Sequence, residues 1–265
     1  LPMGKRISNL EGPFRVWVVL KKLMKREGRQ PDDMIATGGG SIFNALTTVM
    51  SLDLVTKRYT TLAPMITARR AHATAVVDGK LYVIGGYNSD DGYLSSVECL
   101  DLETWQWSEV APMSTPRSAA GAAVLGGKIF VVGGFDGDQI LSSVESFDPA
   151  TGIWTAVALM NTPRWRHGVV SAQGKLFAVG GAGLNDQGEY GYLKSVECFD
   201  PSTGVWTNIN PMNEARQWLG VAVLGDKLFA IGGEENKYDI DSILSSVECL
   251  DLSVPNSAWT PVASM

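Results

Sequence analysis

Histidine and cysteine are scarce: two histidines and three cysteines in 265 residues. No apolar run is long enough to cross a bilayer as a helix, and helical periodicity is missing from most of the chain. The glycine pairs, which might suggest a phosphate cradle, are followed by neither lysine-serine nor a helix. The net charge is −6, and the first 30 residues carry eight Lys/Arg against two Glu. The remainder therefore carries −12, which argues against general nucleic-acid binding.

What is abundant is glycine, 29 residues, and its placement is periodic. Pairs begin at Gly85, Gly133, Gly180 and Gly232, with steps of 48, 47 and 52 residues, and a degenerate copy places Gly38 a further 47 upstream. The same offsets recur for "SVECLD", "SVESFD" and "SVECFD", and for an aromatic at Tyr59, Trp107, Trp154, Trp206 and Trp259. Met65, Met113, Met160 and Met212 are each followed four residues later by Arg69, Arg117, Arg164 and Arg216. Self-similarity at this period marks a repeat architecture.

Each unit reads as four short strands. "AGAAVLGGKIFVVGG" is a hairpin around Gly126 and Gly127, "SSVESFD" alternates, and "DPATG" supplies a turn before "IWTAVALM". The glycine pair closes the second strand where side chains would block a close backbone approach. The aromatic fills the space between tapering sheets. The turn Asp (Asp53, Asp101, Asp148, Asp200, Asp251) accepts amide hydrogen bonds just downstream. The expectation is an all-β propeller of four-stranded antiparallel blades built from five copies of the repeat, with residues 1–30 as a basic leader and 31–265 as the propeller. The first copy reads as starting at "MIATGGG", with no innermost strand before it and the ring incomplete. The leader's "FRVWVVLKKLM" reads as a short basic amphipathic helix or a strand, more a connecting segment than a membrane-surface element.

Glycine pair, "SVE-[CS]-[LF]-D", "T-G-x-W" and "P-M-x-x-x-R", in that order, resemble kelch repeats. The style most resembles the kelch domain of BTB-BACK-kelch ubiquitin ligase substrate adaptors, and "LPMGKR" resembles the end of a BACK domain; since that family usually carries six repeats, the resemblance implies an incomplete propeller of about five of six repeats. The resemblance implies a protein-interaction module that captures a protein target for a cullin-type ligase, in the cytoplasm. Because other kelch proteins bind actin, a cytoskeletal partner is the alternative.

Catalysis and metal binding are disfavoured slot by slot. Cys99, Cys198 and Cys249 occupy one repeat position, with Ser146 in a fourth copy; His72 and His167 occupy another, with Ala120 and Leu219 in the other copies. Equivalent positions in separate blades lie far apart, so they build neither a zinc site nor a Ser-His-Asp triad, and a galactose oxidase-like enzyme lacks its ligands. Glu98, Glu145, Glu197 and Glu248 read as blade-to-blade contacts, and "FDGDQ" lacks the spacing of a calcium loop. No cofactor, metal, nucleic-acid or membrane partner is expected.

Binding is instead expected where the repeats differ. By position in the resembling adaptors, both variable loop sets open on one rim, which assigns a protein-binding rim to Arg69, Arg70, Tyr87, Arg117, Ser118, Phe135, Arg164, Trp165, Arg166, Arg216, Gln217 and Trp218. Each repeated Arg also has a second reading, an ion pair into a neighbouring blade. Gathered at a concave mouth, arginines would favour a target peptide carrying Asp or Glu.

Overall fold

The structure is a computed structural model that describes residues 16–19, 34–38, 44–53, 55–184, 188–235, 243–262 and 264–265. These residues form five four-stranded antiparallel sheets, each a meander whose strands pair in chain order. The first blade comprises Val16–Val19, Met34–Thr37, Val49–Leu52 and Tyr59–Leu62, and the second Ala73–Val77, Lys80–Ile84, Val97–Asp101 and Trp107–Val110. The third comprises Gly121–Leu125, Lys128–Val132, Val144–Asp148 and Ile153–Val157, and the fourth Gly168–Ala172, Lys175–Val179, Val196–Asp200 and Val205–Ile209. Gly220–Leu224, Lys227–Ile231, Val247–Asp251 and Thr260–Val262 complete the fifth.

One expectation is corrected here. The first blade does have an innermost strand: Val16–Val19, within the segment read as a leader, pairs with Met34–Thr37 from Val16↔Thr37 to Val19↔Met34. "VWVV" is a β-branched and aromatic run suited to a strand. It escaped the repeat pattern because no glycine turn or phase marker accompanies it.

The core lies between blades, as the two-faced pattern of each strand requires. Along Lys80–Ile84, Leu81 and Val83 pack on Ile35 and Val49 of the first blade. Tyr82 and Ile84 turn the other way, onto Ile129, Val131 and Phe147 of the third. The same division recurs at the next two interfaces. Each indole spans a seam: Trp107, Trp154, Trp206 and Trp259 donate Nε1–H to the carbonyls of Ala63, Ala111, Ala158 and Asn210, at 2.9, 2.7, 3.0 and 2.9 Å. A buried indole with its N–H satisfied contributes its full apolar area.

The turn aspartates behave as their sequence context predicts. Asp101 Oδ1 accepts from Glu103 and Thr104 N–H, and Asp53, Asp148, Asp200 and Asp251 accept from one or two amides at the same offsets. Hydrogen bonds from downstream backbone hold Asp53, Asp101 and Asp148 below the usual carboxylate range; at Asp200 and Asp251 the hydroxyls of Ser202 and Ser253 are the leading cause.

Trp206→Ala should lower stability by about 3–5 kcal/mol, since it empties a seam filled by Phe199 at 5.2 Å and leaves the Ala158 carbonyl without its donor. Trp154→Ala should cost a similar amount. Trp165→Ala, on the mouth of the assembly, should cost far less. Urea denaturation of the three variants checks the ranking, and an equal loss at Trp165 and Trp206 contradicts it.

Candidate functional site

Between blades the chain runs through a link of eight residues that starts at the repeat methionine, as in 65–72 and 160–167. Four consecutive slots of this link decide what the mouth of the assembly looks like.

The first slot is the repeat arginine, and the rim assignment for it is corrected: Arg69, Arg117, Arg164 and Arg216 are 0–1% exposed. Arg164 donates from Nη1 to the carbonyls of Gly180 (2.9 Å) and Ser195 (3.1 Å), and from Nη2 to Ser195 Oγ (3.2 Å) and Glu197 Oε1 (2.7 Å). The other three repeat this set onto Glu98, Glu145 and Glu248 at 2.6–3.0 Å. Each glutamate also caps the link itself: Glu197 accepts from Asn161 and Thr162 N–H at 2.7 and 3.0 Å. Burial pushes the Arg117 and Arg164 guanidinium pKa down and the paired glutamate opposes it. An arginine starts high enough to remain charged. The repeat arginines are thus clamps between link and following blade, with no surface left for a ligand.

The glycine pairs sit against these clamps. Gly85, Gly133 and Gly180 have φ near +60° and Gly86, Gly134 and Gly181 near +100°. A Cβ on Gly180 would come within 2.6 Å of the Arg216 carbonyl, and Gly181 N–H donates to that same carbonyl at 2.7 Å.

The second slot holds Arg70, Ser118, Trp165 and Gln217. Each pairs antiparallel, through its backbone, with the residue two past a glycine pair's start: Arg70 with Tyr87, Ser118 with Phe135, Trp165 with Ala182 and Gln217 with Glu234. This is how the two variable loop sets come to one rim.

The third slot is Ala71, Ala119, Arg166 and Trp218, all at φ +51° to +55° although none is glycine. Left-handed backbone is costly for such residues. It is offset by a relay from blade to blade, in which Ala119 N–H donates to Ala71 O (2.7 Å), Arg166 N–H to Ala119 O (2.8 Å) and Trp218 N–H to Arg166 O (2.8 Å). Sequence reasoning assigned Arg166 and Trp218 of this slot to the rim but not Ala71 and Ala119, and the slot's left-handed backbone leaves no mark in its residue types.

The fourth slot seats His72, Ala120, His167 and Leu219. Both histidines are buried, and Thr37 Oγ1 lies 2.9 Å from His72 Nε2. Burial, aided by Arg69, lowers the His72 pKa to about 3; burial and Arg164 put His167 well below its ordinary value. The cysteines are buried thiols, pushed up by desolvation.

Out of slots two and three comes a pocket of about 390 Å³ lined by Arg70, Ala71, Tyr87, Tyr93, Ser118, Ala119, Trp165, Arg166 and Trp218. Its wall is an aromatic arc across three blades: Tyr87–Tyr93 at 5.0 Å between ring centroids, Tyr93–Phe135 at 5.3 Å, and Phe135–Trp165 at 5.3 Å. Arginines lie over both ends. The Arg70 guanidinium is 4.8 Å from the Tyr87 centroid, and that of Arg166 lies 3.8 Å from Trp165 and 5.1 Å from Trp218. Cation–π contacts of this kind hold a guanidinium flat. Glu234 takes the Gln217 amide at 2.7 Å, leaving Gln217 Oε1 to accept from Arg166 Nη1 at 3.1 Å. Of the assigned rim residues, Arg70, Tyr87, Ser118, Trp165, Arg166 and Trp218 line the pocket, while Phe135 backs it. Gln217 is buried beside Arg166. Tyr93, which joins Tyr87 to Phe135, was not assigned. The "GY" of "DDGYL" could have signalled it, as "EYGYL" repeats that pattern in the fourth repeat. In "FDGDQ", Asp136 caps its own turn, accepting from Asp138 and Gln139 N–H.

Residues 30–233 match the family described as "KLHDC2/KLHL20/DRC7 Kelch-repeats domain", and residues 219–265 match the "Kelch motif". The chain belongs to the kelch-repeat family. It is 51% identical to "Kelch-like protein 28" of Mus musculus over 43 residues, covering 16% of this chain and 8% of that protein. It is 35% identical to "Kelch-like protein 36" of Bos taurus over 80 residues, covering 28% of this chain and 12% of that protein. The matched stretches thus span about a tenth of these relatives' lengths. Among solved structures, "Structure of YjhT" aligns with a TM-score of 0.65 at 20% identity, covering 77% of this chain and 68% of that one. That likeness establishes the propeller fold.

The kelch histidines set a pH dependence. A base held neutral in the folded state binds fewer protons there than when unfolded, so its contribution is fully present above about pH 6.5 and is lost as pH falls towards 3. Stability should decline as pH falls below 6.5 on account of both histidines, His72 alone contributing up to about 1.4 kcal/mol per pH unit between pH 6 and 4.5. In His72→Ala/His167→Ala, which copies Ala120 of the third blade, that slope should flatten. Chemical denaturation across pH 4.5–7.5 is the check; an unchanged slope would contradict the assignment.

Proposed function

We propose that the chain is a protein-interaction module whose pocket holds a short acidic segment of a target protein. The observation that carries the reading is the lining: two guanidiniums lie over aromatic rings, every other side-chain polar group is a hydroxyl or an indole N–H, and none of the nine residues is a carboxylate. Trp165 Nε1 and Arg166 Nε are buried with no hydrogen-bond partner among the described residues. A carboxylate is the complement of such donors, and the aromatic arc is the anchor that such contacts flank. Acids nearby, including Glu234 and Asp136, moderate the potential.

Binding rather than catalysis is favoured because both histidines and all three cysteines are sealed between blades. The resemblance to BTB-BACK-kelch adaptors, and the relatives named kelch-like proteins, support a role in bringing a cytoplasmic target to a cullin-type ubiquitin ligase through BTB and BACK regions. Actin is the alternative partner, and co-sedimentation with filaments separates the two.

The test is pull-down of partners followed by titration with acidic peptides from them. Arg70→Glu combined with Arg166→Glu should weaken binding at least tenfold, about 1.4 kcal/mol, with affinity in the unmodified protein falling as salt rises. Undiminished binding to the folded double variant would overturn the proposal.

A further inference from the structure

The clamp that leads into the fifth blade contains a group that the other clamps lack. The residue two before the repeat arginine is Thr67, Thr115 and Thr162 in the first three links and Glu214 in the fourth. Its backbone is placed alike in all four. The N–H donates to the clamp glutamate, from Thr67 to Glu98, Thr115 to Glu145, Thr162 to Glu197 and Glu214 to Glu248, at 2.9–3.3 Å. The side chain is what differs. Glu214 Oε2 accepts from Arg216 Nη2 at 2.6 Å and from Ser246 Oγ at 2.7 Å, while the same Nη2 still donates to Glu248 Oε1 at 2.9 Å. In the other links the matching nitrogen donates to a serine (Ser96, Ser143, Ser195) and to the clamp glutamate, and the threonine hydroxyl takes no part in the clamp. A guanidinium closed to outside ligands thus holds a second anion when its own link supplies one.

A phosphate on the threonine is such an anion. Its terminal oxygens stand the same number of bonds from Cα as the carboxylate oxygens of Glu214. It carries a charge of about −1.5 to −2 at pH 7 and binds guanidinium groups through charge-assisted hydrogen bonds. The sequence adds a selective handle. Thr115 and Thr162 are followed by Pro116 and Pro163 and then by the clamp arginine, whereas Thr67 is followed by Ala68. Proline directly after the acceptor is what proline-directed kinases read. Both threonines are half-buried, and Ser114 and Asn161 just before them are exposed. The remaining Thr-Pro pair, Thr260-Pro261, lies in the last strand and leads to Val262 rather than to an arginine.

We infer that Thr115 and Thr162 are phosphorylation sites for a proline-directed protein kinase, and that the modification fastens each link to the following blade as Glu214 does permanently. The γ-phosphoryl group of a nucleoside triphosphate passes to threonine Oγ1. The bond from phosphorus to Oγ1 forms and the bond from phosphorus to the bridging oxygen breaks; the hydroxyl proton goes to the kinase's base and the nucleoside diphosphate leaves. The phosphate on Thr162 then takes Arg164 Nη2 and Ser195 Oγ, and that on Thr115 takes Arg117 Nη2 and Ser143 Oγ. Trp165 and Arg166 follow Thr162 in the same link, so the modification acts on a joint that carries the pocket wall. The inference does not depend on what the pocket binds.

The folded 265-residue protein, incubated with a cyclin-dependent kinase and ATP and read by peptide mass spectrometry, should carry phosphate on Thr115 and Thr162 to at least ten times the extent of Thr67. Pro163→Ala should remove the modification at Thr162 and leave that at Thr115. No phosphate on either threonine, under conditions that modify a synthetic peptide of residues 156–168, overturns the inference. Urea denaturation tests the second half without a kinase. Thr162→Glu, which copies Glu214, should raise the unfolding midpoint above that of Thr162→Gln, and Ser195→Ala should shrink the difference. A Thr162→Glu midpoint equal to or below that of Thr162→Gln shows that the third link does not accept the anion and contradicts the fastening role.

Discussion

The buried arginine–glutamate pair is the interaction on which the blade order depends. Each blade is a sheet that cannot stand alone, and the link between two sheets is irregular backbone whose polar groups need partners. The glutamate near the start of a third strand supplies acceptors for two link amides and for the guanidinium. The guanidinium in turn binds the glycine-pair carbonyl and a serine of that same blade. Burying two charges is expensive and is sustained only where geometry and extra hydrogen bonds compensate. Here Glu197 Oε1 and Oε2 accept from three donors, and four near-identical copies show the geometry to be reproducible.

That clamp explains the functional surface indirectly. With the arginine fixed inward, the next residue is delivered to the rim opposite the loop that follows a glycine pair. The residue after it is forced into left-handed backbone, where its N–H reaches the previous blade. The scaffold therefore fixes the positions of slots two and three while leaving their identity open. Arg70, Trp165, Arg166 and Trp218 exploit that freedom. The same framework carries alanine and serine in the third blade, which is why the pocket has a floor at Ala119 and Ser118 rather than another bulky wall.

Much of this was legible in the sequence. Period, strand count, turn aspartates, the seam tryptophans and the structural use of the SVE glutamates all follow from residues that recur at fixed offsets. The repeat arginines were placed on the rim because a link residue next to variable positions looks exposed, and a single sequence does not say which way a side chain turns. The sign was nonetheless present: Arg at the fourth position after Met and Glu in "SVE" recur together in all four full repeats, as partners in a clamp must. Rim specificity, by contrast, resides in non-repeating residues. A strand was one of two readings of the segment holding Val16–Val19, but its place in the first blade was missed, as was Tyr93, because periodicity does not single out an element that occurs in a degenerate copy or in an insertion.

The clamp is tested most directly by a double-mutant cycle between Arg164 and Glu197. Unfolding free energies would be measured in urea for Arg164→Met, Glu197→Gln and the pair. Each single change strands a buried charge and should cost about 3–5 kcal/mol, whereas the double variant should recover part of that loss, giving a coupling of about 2 kcal/mol or more. Single losses that simply add, within about 0.5 kcal/mol, would show that the two charges do not hold the link to the blade.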